Sequence, residues 1–334
     1  MKVGLSKIDK YLIYFLSLNC RLKLSKIASF LKTSPARITY HYNRLIESNV
    51  FYGFLTLIDY RKIGFNAYSI YYRLRDQTEE EHKLLIEKIK SIPSLADLME
   101  CEGHYNFHVT LLEKSLYNAA QSIWALREIL GNLIIEEVIL IYLRSELFDR
   151  KIFLELEKEH KLSSLKINPR ILIVDESEEL IRLNTEEKKI LSIIANNANF
   201  SIIQISKESG ISPPKVAQIL QKLESQKVIK GYIAKLNPNI ENLEYFRVLV
   251  KLKNISHKKR NEFLDYLFSH PKIYRSLITF GEYDLTYDLR VRDIYELRAV
   301  LKEVYTKFKD EILRQDWIKI YKILSYKFYI DEKT

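Results

Sequence analysis

The chain has 334 residues, 47% of them hydrophobic, which is too long for one core and calls for two to four domains. Its longest apolar stretches, such as Ile134–Leu143, are broken by Glu136 and Glu137, no apolar leader opens the N-terminus, and Cys20 and Cys101 form no C-x-x-C pair. Membrane-spanning, secreted disulfide-rich and cysteine-metal classes are therefore set aside, and a cytoplasmic protein without membrane contact, metal or cofactor is expected. The net charge of +10 is also localised: residues 1–60 carry nine Lys/Arg against three Asp/Glu, residues 179–238 carry nine against five, and the rest is balanced. Two separate basic windows are the footprint of a surface that meets phosphates.

In chain order, Lys7–Leu18 reads as a helix with Ile8, Leu12, Phe15 and Leu16 on one face. Leu24–Leu31 is a second helix and Lys32-Thr33 a turn. Ser34-Pro35 then supplies an N-cap and a first-turn proline for a third helix reaching about Glu47. Its core stripe is Ile38, Tyr42 and Leu45, and Arg37, Tyr40, Asn43 and Arg44 point outward. His41 flanks the stripe and is read as a packing residue. A strand, Tyr52–Ile58, follows through Gly53 as a wing. This is the order of a DNA reader whose recognition helix enters the major groove.

Next come Ala67–Leu74 (strand), Glu79–Ile92 (helix), Leu95–Glu100 and Phe107–Leu112 (strands through Gly103), Leu116–Leu130 (helix) and Ile134–Leu143 (strand). That β-α-β-β-α-β order is the ferredoxin-like arrangement. The whole pattern recurs 178 residues later. Ser212-Pro213 answers Ser34-Pro35, and Val216, Leu220 and Leu223 answer Ile38, Tyr42 and Leu45. Gly231 answers Gly53, Pro271 answers Pro93, and Gly281-Glu282-Tyr283-Asp284 answers Gly103-His104-Tyr105-Asn106. Turn and cap residues held at one offset imply equal element lengths, hence two diverged copies. Arg144–Arg182 has no counterpart and reads as a spacer, with a charged helix over Ser145–Lys161 and an added strand over Arg170–Val174.

The predicted fold is α+β: two repeats of winged helix-turn-helix followed by a ferredoxin-like βαββαβ domain. The boundaries expected are 1–60 and 61–144, a spacer 145–182, then 183–238 and 239–334. The second recognition helix presents Lys215, Gln218, Gln221 and Lys222, with Ser212 as its N-cap. Arg and Lys suit guanine edges and phosphates; Asn, Gln and Tyr suit base edges or phosphates. Exposed edges of the two βαββαβ sheets are expected to pair further chains into a homo-oligomer.

Ser212-Pro213, Lys230-Gly231-Tyr232, Leu236-Asn237-Pro238 and Gly281-Glu282-Tyr283-Asp284 resemble the Lrp/AsnC family of transcription regulators. The resemblance spans roughly nine tenths of the chain as two full copies; the first has Asn106 where the second has Asp284. It implies double-stranded DNA as partner, a dimerisation and effector domain, and amino-acid sensing near Gly103, His104, Tyr105, Asn106, Gly281, Glu282, Tyr283 and Asp284. Glu282 and Asp284 offer acceptors for an amine, and His104 and Asn106 make the first loop less acidic. The function read from this is sequence-specific transcription regulation modulated by a small metabolite.

No nucleophile–base pairing or Gly-rich phosphate loop stands out, and the expectation is a protein that is not an enzyme. His104-Tyr105-Asn106-Phe107 is nevertheless similar to the H-x-Y-N run of siroheme decarboxylases, which resemble this family in both domains. That enzyme, and a nonspecific architectural DNA-binding protein, are the alternative readings.

Overall fold

The computed structural model describes residues 4–154, 168–174, 179–240 and 242–330. Three helices open the chain: α1 (Lys7–Leu16), α2 (Leu24–Phe30) and α3 (Pro35–Glu47). Ser6 caps α1 through a reciprocal box with Asp9, and Ser34 accepts from the Arg37 amide at the start of α3. Strands β1 (Phe51–Ile58) and β2 (Asn66–Leu74), α4 (Glu79–Lys90), β3 (Leu95–Gly103), β4 (Phe107–Glu113), α5 (Leu116–Leu130) and β5 (Ile134–Phe148) follow. The expected strand over Arg170–Val174 is present as β6. The expected charged helix is not formed where the residues are described. Ser145–Phe148 continues β5, where all four residues are buried and pair with Arg170–Val174 on one side, and 155–161 lies outside the described residues.

A second helical trio is α6 (Thr185–Ile194), α7 (Ile202–Ser209) and α8 (Pro213–Ser225). Gly210 ends α7 in the left-handed region at φ 69°, which its missing Cβ permits. Ser212 makes no side-chain cap bond, against expectation. Pro213 and Pro214 occupy the first two helical positions and have no amide to cap, which leaves the Lys215 amide as the one a side-chain cap would serve. The remaining elements are β7 (Ile229–Leu236), β8 (Glu244–Leu252), α9 (His257–Ser269), β9 (Ile273–Gly281), β10 (Leu285–Val291), α10 (Ile294–Lys307) and β11 (Ile312–Ser325).

Pairing of the strands departs from two separate sheets. Among the described residues, β2-β4-β3-β11-β8-β10-β9-β5 run side by side and β5 returns to β2, closing an eight-stranded barrel with β6 appended to β5. Two four-stranded groups, β5-β2-β4-β3 and β11-β8-β10-β9, meet at two seams. At one, Ile318 of β11 lies opposite Gly103 of β3; at the other, Leu140 of β5 lies opposite Gly281 of β9. The edges expected to recruit further chains are therefore used inside the chain, since closure leaves those backbone groups paired.

Helices α4 and α5 cover one outer face of the barrel, around Ile70, Tyr72, Val109 and Leu126. Helices α9 and α10 cover the opposite face, around Phe246, Val248, Phe263 and Val300. Intervening residues such as Tyr71, Tyr245 and Leu249 turn inward. Both faces of these strands are buried, which is why they read as continuous apolar runs.

The wing strands do not fold back on their own helices. β1 pairs antiparallel with β7, Leu55 opposite Ile233. Each strand also ties to the other helical trio. Thr56 of β1 donates from Oγ1 to the Ile194 carbonyl at 2.6 Å, and the Cys20 amide donates to the Tyr232 carbonyl of β7 at 2.7 Å. Arg21 stacks over the Tyr232 ring at 3.5 Å and donates to the Ala198 carbonyl. The two trios are thus braced through one shared two-stranded sheet.

Candidate nucleic-acid interface

α3 and α8 turn one apolar stripe into their own trios: Ile38 and Leu45, with His41, in α3; Val216, Leu220 and Leu223 in α8. The opposite faces are open. Arg37, Tyr40 and Asn43 are exposed on α3, and Lys215, Gln218 and Gln221 on α8. Tyr40 is 64% exposed and stands edge-on to His41. A large aromatic left in water beside an arginine and an asparagine is suited to a groove, where its ring packs on sugars or bases.

Arg44 and Lys222 stand differently. Arg44 pairs with Asp9, a fully buried carboxylate on α1 that also holds His41 Nδ1 at 2.8 Å. Lys222 pairs with buried Glu187 on α6 at 2.6 Å. In both trios an acid at the third position of the first helix clamps a base on the recognition helix. These bases fix helix orientation while keeping part of the side chain in solvent, 32% for Arg44 and 47% for Lys222. Sequence reasoning missed Asp9 and Glu187. The signal available was the capping-box spacing, Ser6-x-x-Asp9 and Asn184-x-x-Glu187, which places each acid at the helix start. Lys215 lies 4.0 Å from Glu186, a loose pairing between exposed side chains.

The two loops named for effector binding come together at the barrel seams. Gly103 (φ 123°) and Gly281 (φ 141°) adopt backbone that favours glycine, and a Cβ on either would sit 2.6 Å from a carbonyl oxygen, of Trp317 or Ile139. Tyr105 and Tyr283 are buried, their hydroxyls 3.4 Å apart. Tyr283 donates to Asp316 at 2.7 Å, and Arg314 bridges Asp316 and Glu282 at 2.7 and 2.9 Å. Burial pushes the Tyr105 phenol up to about 12, and burial together with Tyr105 and Asp316 raises Tyr283 further, so both stay protonated.

Asn106 and Asp284 are not free acceptors. Asn106 bonds both backbone groups of Leu74, and Asp284 accepts from the Leu252 amide at 2.8 Å. Glu282 and His104 are the exposed polar groups of the loops, His104 lying 3.6 Å from Glu136. Inside the barrel, His108 is fully buried against Ser69. Burial, Arg247 and Arg275 hold its pKa well below the usual range, so it is neutral.

Two helix-turn-helix trios with open polar recognition faces, carried on a β-rich body, define a DNA-binding protein of the winged helix-turn-helix class. A family profile described as winged helix-turn-helix DNA-binding matches residues 183–230. The chain is 32% identical over 121 residues to the HTH-type transcriptional regulator Ptr1 of Methanocaldococcus jannaschii, covering 36% of this chain and 80% of that protein. It is 31% identical over 121 residues to the leucine-responsive regulatory protein of Haemophilus influenzae, covering 36% of this chain and 72% of that one. The chain belongs to the Lrp/AsnC family of transcription regulators.

A different relationship spans the full length. The siroheme decarboxylase NirDL matches 98% of this chain and 95% of its own, with a TM-score of 0.58 and 12% identity. At that identity the likeness is one of fold. It corrects the expectation that the chain is not an enzyme: a chain of this architecture over its whole length is one. No described helix is long and apolar enough to cross a membrane.

Proposed function

We propose that the chain is a tandem form of the family: two copies of one regulator unit, residues 1–144 and 183–334, fused through the spacer 145–182. It recognises double-stranded DNA with α3 and α8 together. The observation that carries this reading is the pair of open faces, Arg37-Tyr40-Asn43 and Lys215-Gln218-Gln221, on helices held by matching acid–base clamps. Arg37 and Lys215 supply phosphate or guanine contacts; Tyr40, Asn43, Gln218 and Gln221 supply base-edge contacts. Ser34 and Ser212 open the helices beside the phosphates, and Arg44 and Lys222 add charge from the clamp. Because the two faces differ, the operator is an unequal pair of half-sites rather than a palindrome.

A small amine-bearing metabolite, bound at the seams near Gly103, His104, Tyr105, Gly281, Glu282 and Tyr283, modulates this binding. Asn106 and Asp284 hold the loops in shape. Association of further chains uses the outer helical faces, where Tyr117 and Tyr295 occupy matching exposed positions. The test is fluorescence anisotropy on the gene's own upstream duplex and on a scrambled duplex across a salt series. Preference for the promoter by about 10³ or more, lost steeply with salt, supports the reading. Equal affinity for both duplexes points to architectural binding, and no binding at low salt overturns it.

A second reading is favoured by the full-length likeness to NirDL, also solved with an iron-uroporphyrin III analogue. In it, siroheme is a substrate that loses carboxylate groups. Incubation of the purified protein with siroheme, followed by absorbance and mass spectrometry of the tetrapyrrole, decides between loss of carbon dioxide and none.

A further inference from the structure

Between the barrel and the shared wing sheet lies a partly enclosed cavity of about 50 Å³, apart from the recognition helices and the Gly-x-Tyr loops. At roughly 10–15 Å³ per water it has room for three to five water-sized bodies. Four cationic side chains line it: Arg150, Arg275, Arg290 and Lys235 of β7. The lining carboxylate, Asp288, is already engaged by a fifth cation, Arg247, through bonds of 2.7 and 3.0 Å. Asp97 is a further buried acid that interacts with Arg275 and Arg247. Positive charge exceeds negative.

The guanidiniums also carry unused donors. Arg150 is 8% exposed, and among the described residues its Nε and Nη1 have no acceptor. Arg275 and Arg290 are 4% and 2% exposed, and Nε of each likewise has no acceptor among the described residues. Their other nitrogens are anchored: Arg290 donates to the Pro238 and Asn237 carbonyls at 2.8 and 3.0 Å, and Arg275 donates to the Tyr326 hydroxyl at 3.1 Å. Arg150 stacks on the Tyr274 ring at 4.4 Å. A buried cation without a counter-charge is costly, whereas pre-positioned guanidinium forks pair strongly with oxyanions.

We propose that this cavity is a binding site for a compact multivalent oxyanion, of the size of inorganic phosphate or a short dicarboxylate, held by Arg150, Arg275 and Arg290. Its walls come from the barrel on one side and from β7 on the other. The bound anion joins the body of the protein to the sheet that braces the two recognition helices. This site needs no DNA to be occupied, so its test is read on the protein alone.

Isothermal titration of the full chain with sodium phosphate and, separately, sodium malonate, at ionic strength held constant with chloride, tests it. The expected result is one anion per chain for at least one probe, weakened 10-fold or more in Arg150→Gln. Lys258→Ala, on the exposed face of α9, binds as wild type. Arg150→Lys keeps the charge without the fork and is expected to lie between, which also covers failure of the Gln variant to fold. Binding of phosphate alone identifies a phosphoryl ligand, and of malonate alone a dicarboxylate; either supports the site. Absence of saturable binding of both at millimolar concentration overturns it. So does binding that Arg150→Gln and Arg150→Lys leave unchanged, which places the anion on the exposed lysines instead.

Discussion

The phenolic oxygens of Tyr105 and Tyr283 lie 3.4 Å apart although the residues are 178 positions apart in the chain. The contact is not symmetrical, because Tyr283 also donates to Asp316 at 2.7 Å while Tyr105 has only a 3.4 Å partner in Glu136. Tyr105→Phe is expected to cost less than about 1 kcal/mol, the loss of long, weak bonds. Tyr283→Phe removes a donor from a carboxylate and is expected to cost about 1–2 kcal/mol. Because the pair share one contact, the double variant should fall short of the sum; urea denaturation of all four proteins measures the coupling.

Substitutions on α3 should separate recognition from stability. Arg37→Ala removes an exposed cation; it is expected to leave the melting temperature unchanged and to lower the salt slope of DNA binding by about 0.9. Arg44→Ala leaves Asp9, fully buried, with His41 and its cap bonds but no permanent cation. A loss of about 2 kcal/mol in folding stability is expected there. Thermal denaturation together with anisotropy distinguishes the two; equal melting temperatures would show that the clamp holds nothing.

The seam glycines are expected to be intolerant. Gly103→Ala and Gly281→Ala each force a Cβ into φ near 123° or 141° and to 2.6 Å from a backbone oxygen of the facing strand. Backbone strain alone accounts for roughly 1–3 kcal/mol, and the strands must also part. Chemical denaturation should show both variants destabilised alike, because the two seams are built alike. Gly64→Ala serves as control: it shares a positive φ, 89°, but no atom of the described residues lies within 4 Å of the added one, so the strain is what remains.

Buried Asp97 sets a pH dependence. Desolvation raises its pKa from 3.8 to about 6, against the opposing pull of Arg275 and Arg247. The folded state therefore holds this proton more tightly than the unfolded chain. The associated stability is complete below about pH 4 and is lost as pH rises through about 6. Asp97→Asn is expected to change little at pH 4 and to stabilise by about 1–3 kcal/mol at pH 8. Urea midpoints at the two pH values check the sign; stabilisation confined to pH 4 would refute it.

Much of this molecule was legible in the chain. The 178-residue offset located the matching turn glycines Gly103 and Gly281, because that position is dictated by local backbone conformation, whereas of the paired serines only Ser34 caps its helix. Helix α5 has the limits expected from periodicity, and β6 was legible from the four-residue apolar run after Arg170. The open residues of α3 and α8 followed from which positions the apolar stripe leaves outside. The clamps at Arg44 and Lys222 did not follow, since a basic residue on an outward helix face reads the same whether or not an acid on another helix reaches it.

What the tertiary structure alone decided is how strands from the two parts of the chain pair. Backbone hydrogen bonds between strand edges carry almost no side-chain signature, so two open sheets and one closed barrel write nearly the same apolar runs. Closure of β3 on β11 and of β9 on β5 turned expected oligomer edges into internal seams. The pairing of β1 with β7 likewise converted two wings into one brace. The arginine cavity exists only because of that assembly: Arg150, Lys235, Arg275 and Arg290 lie far apart in sequence, and each alone reads as an ordinary surface cation. Sequence fixes which groups are available locally; long-range packing decides which of them lose their water and must find a partner.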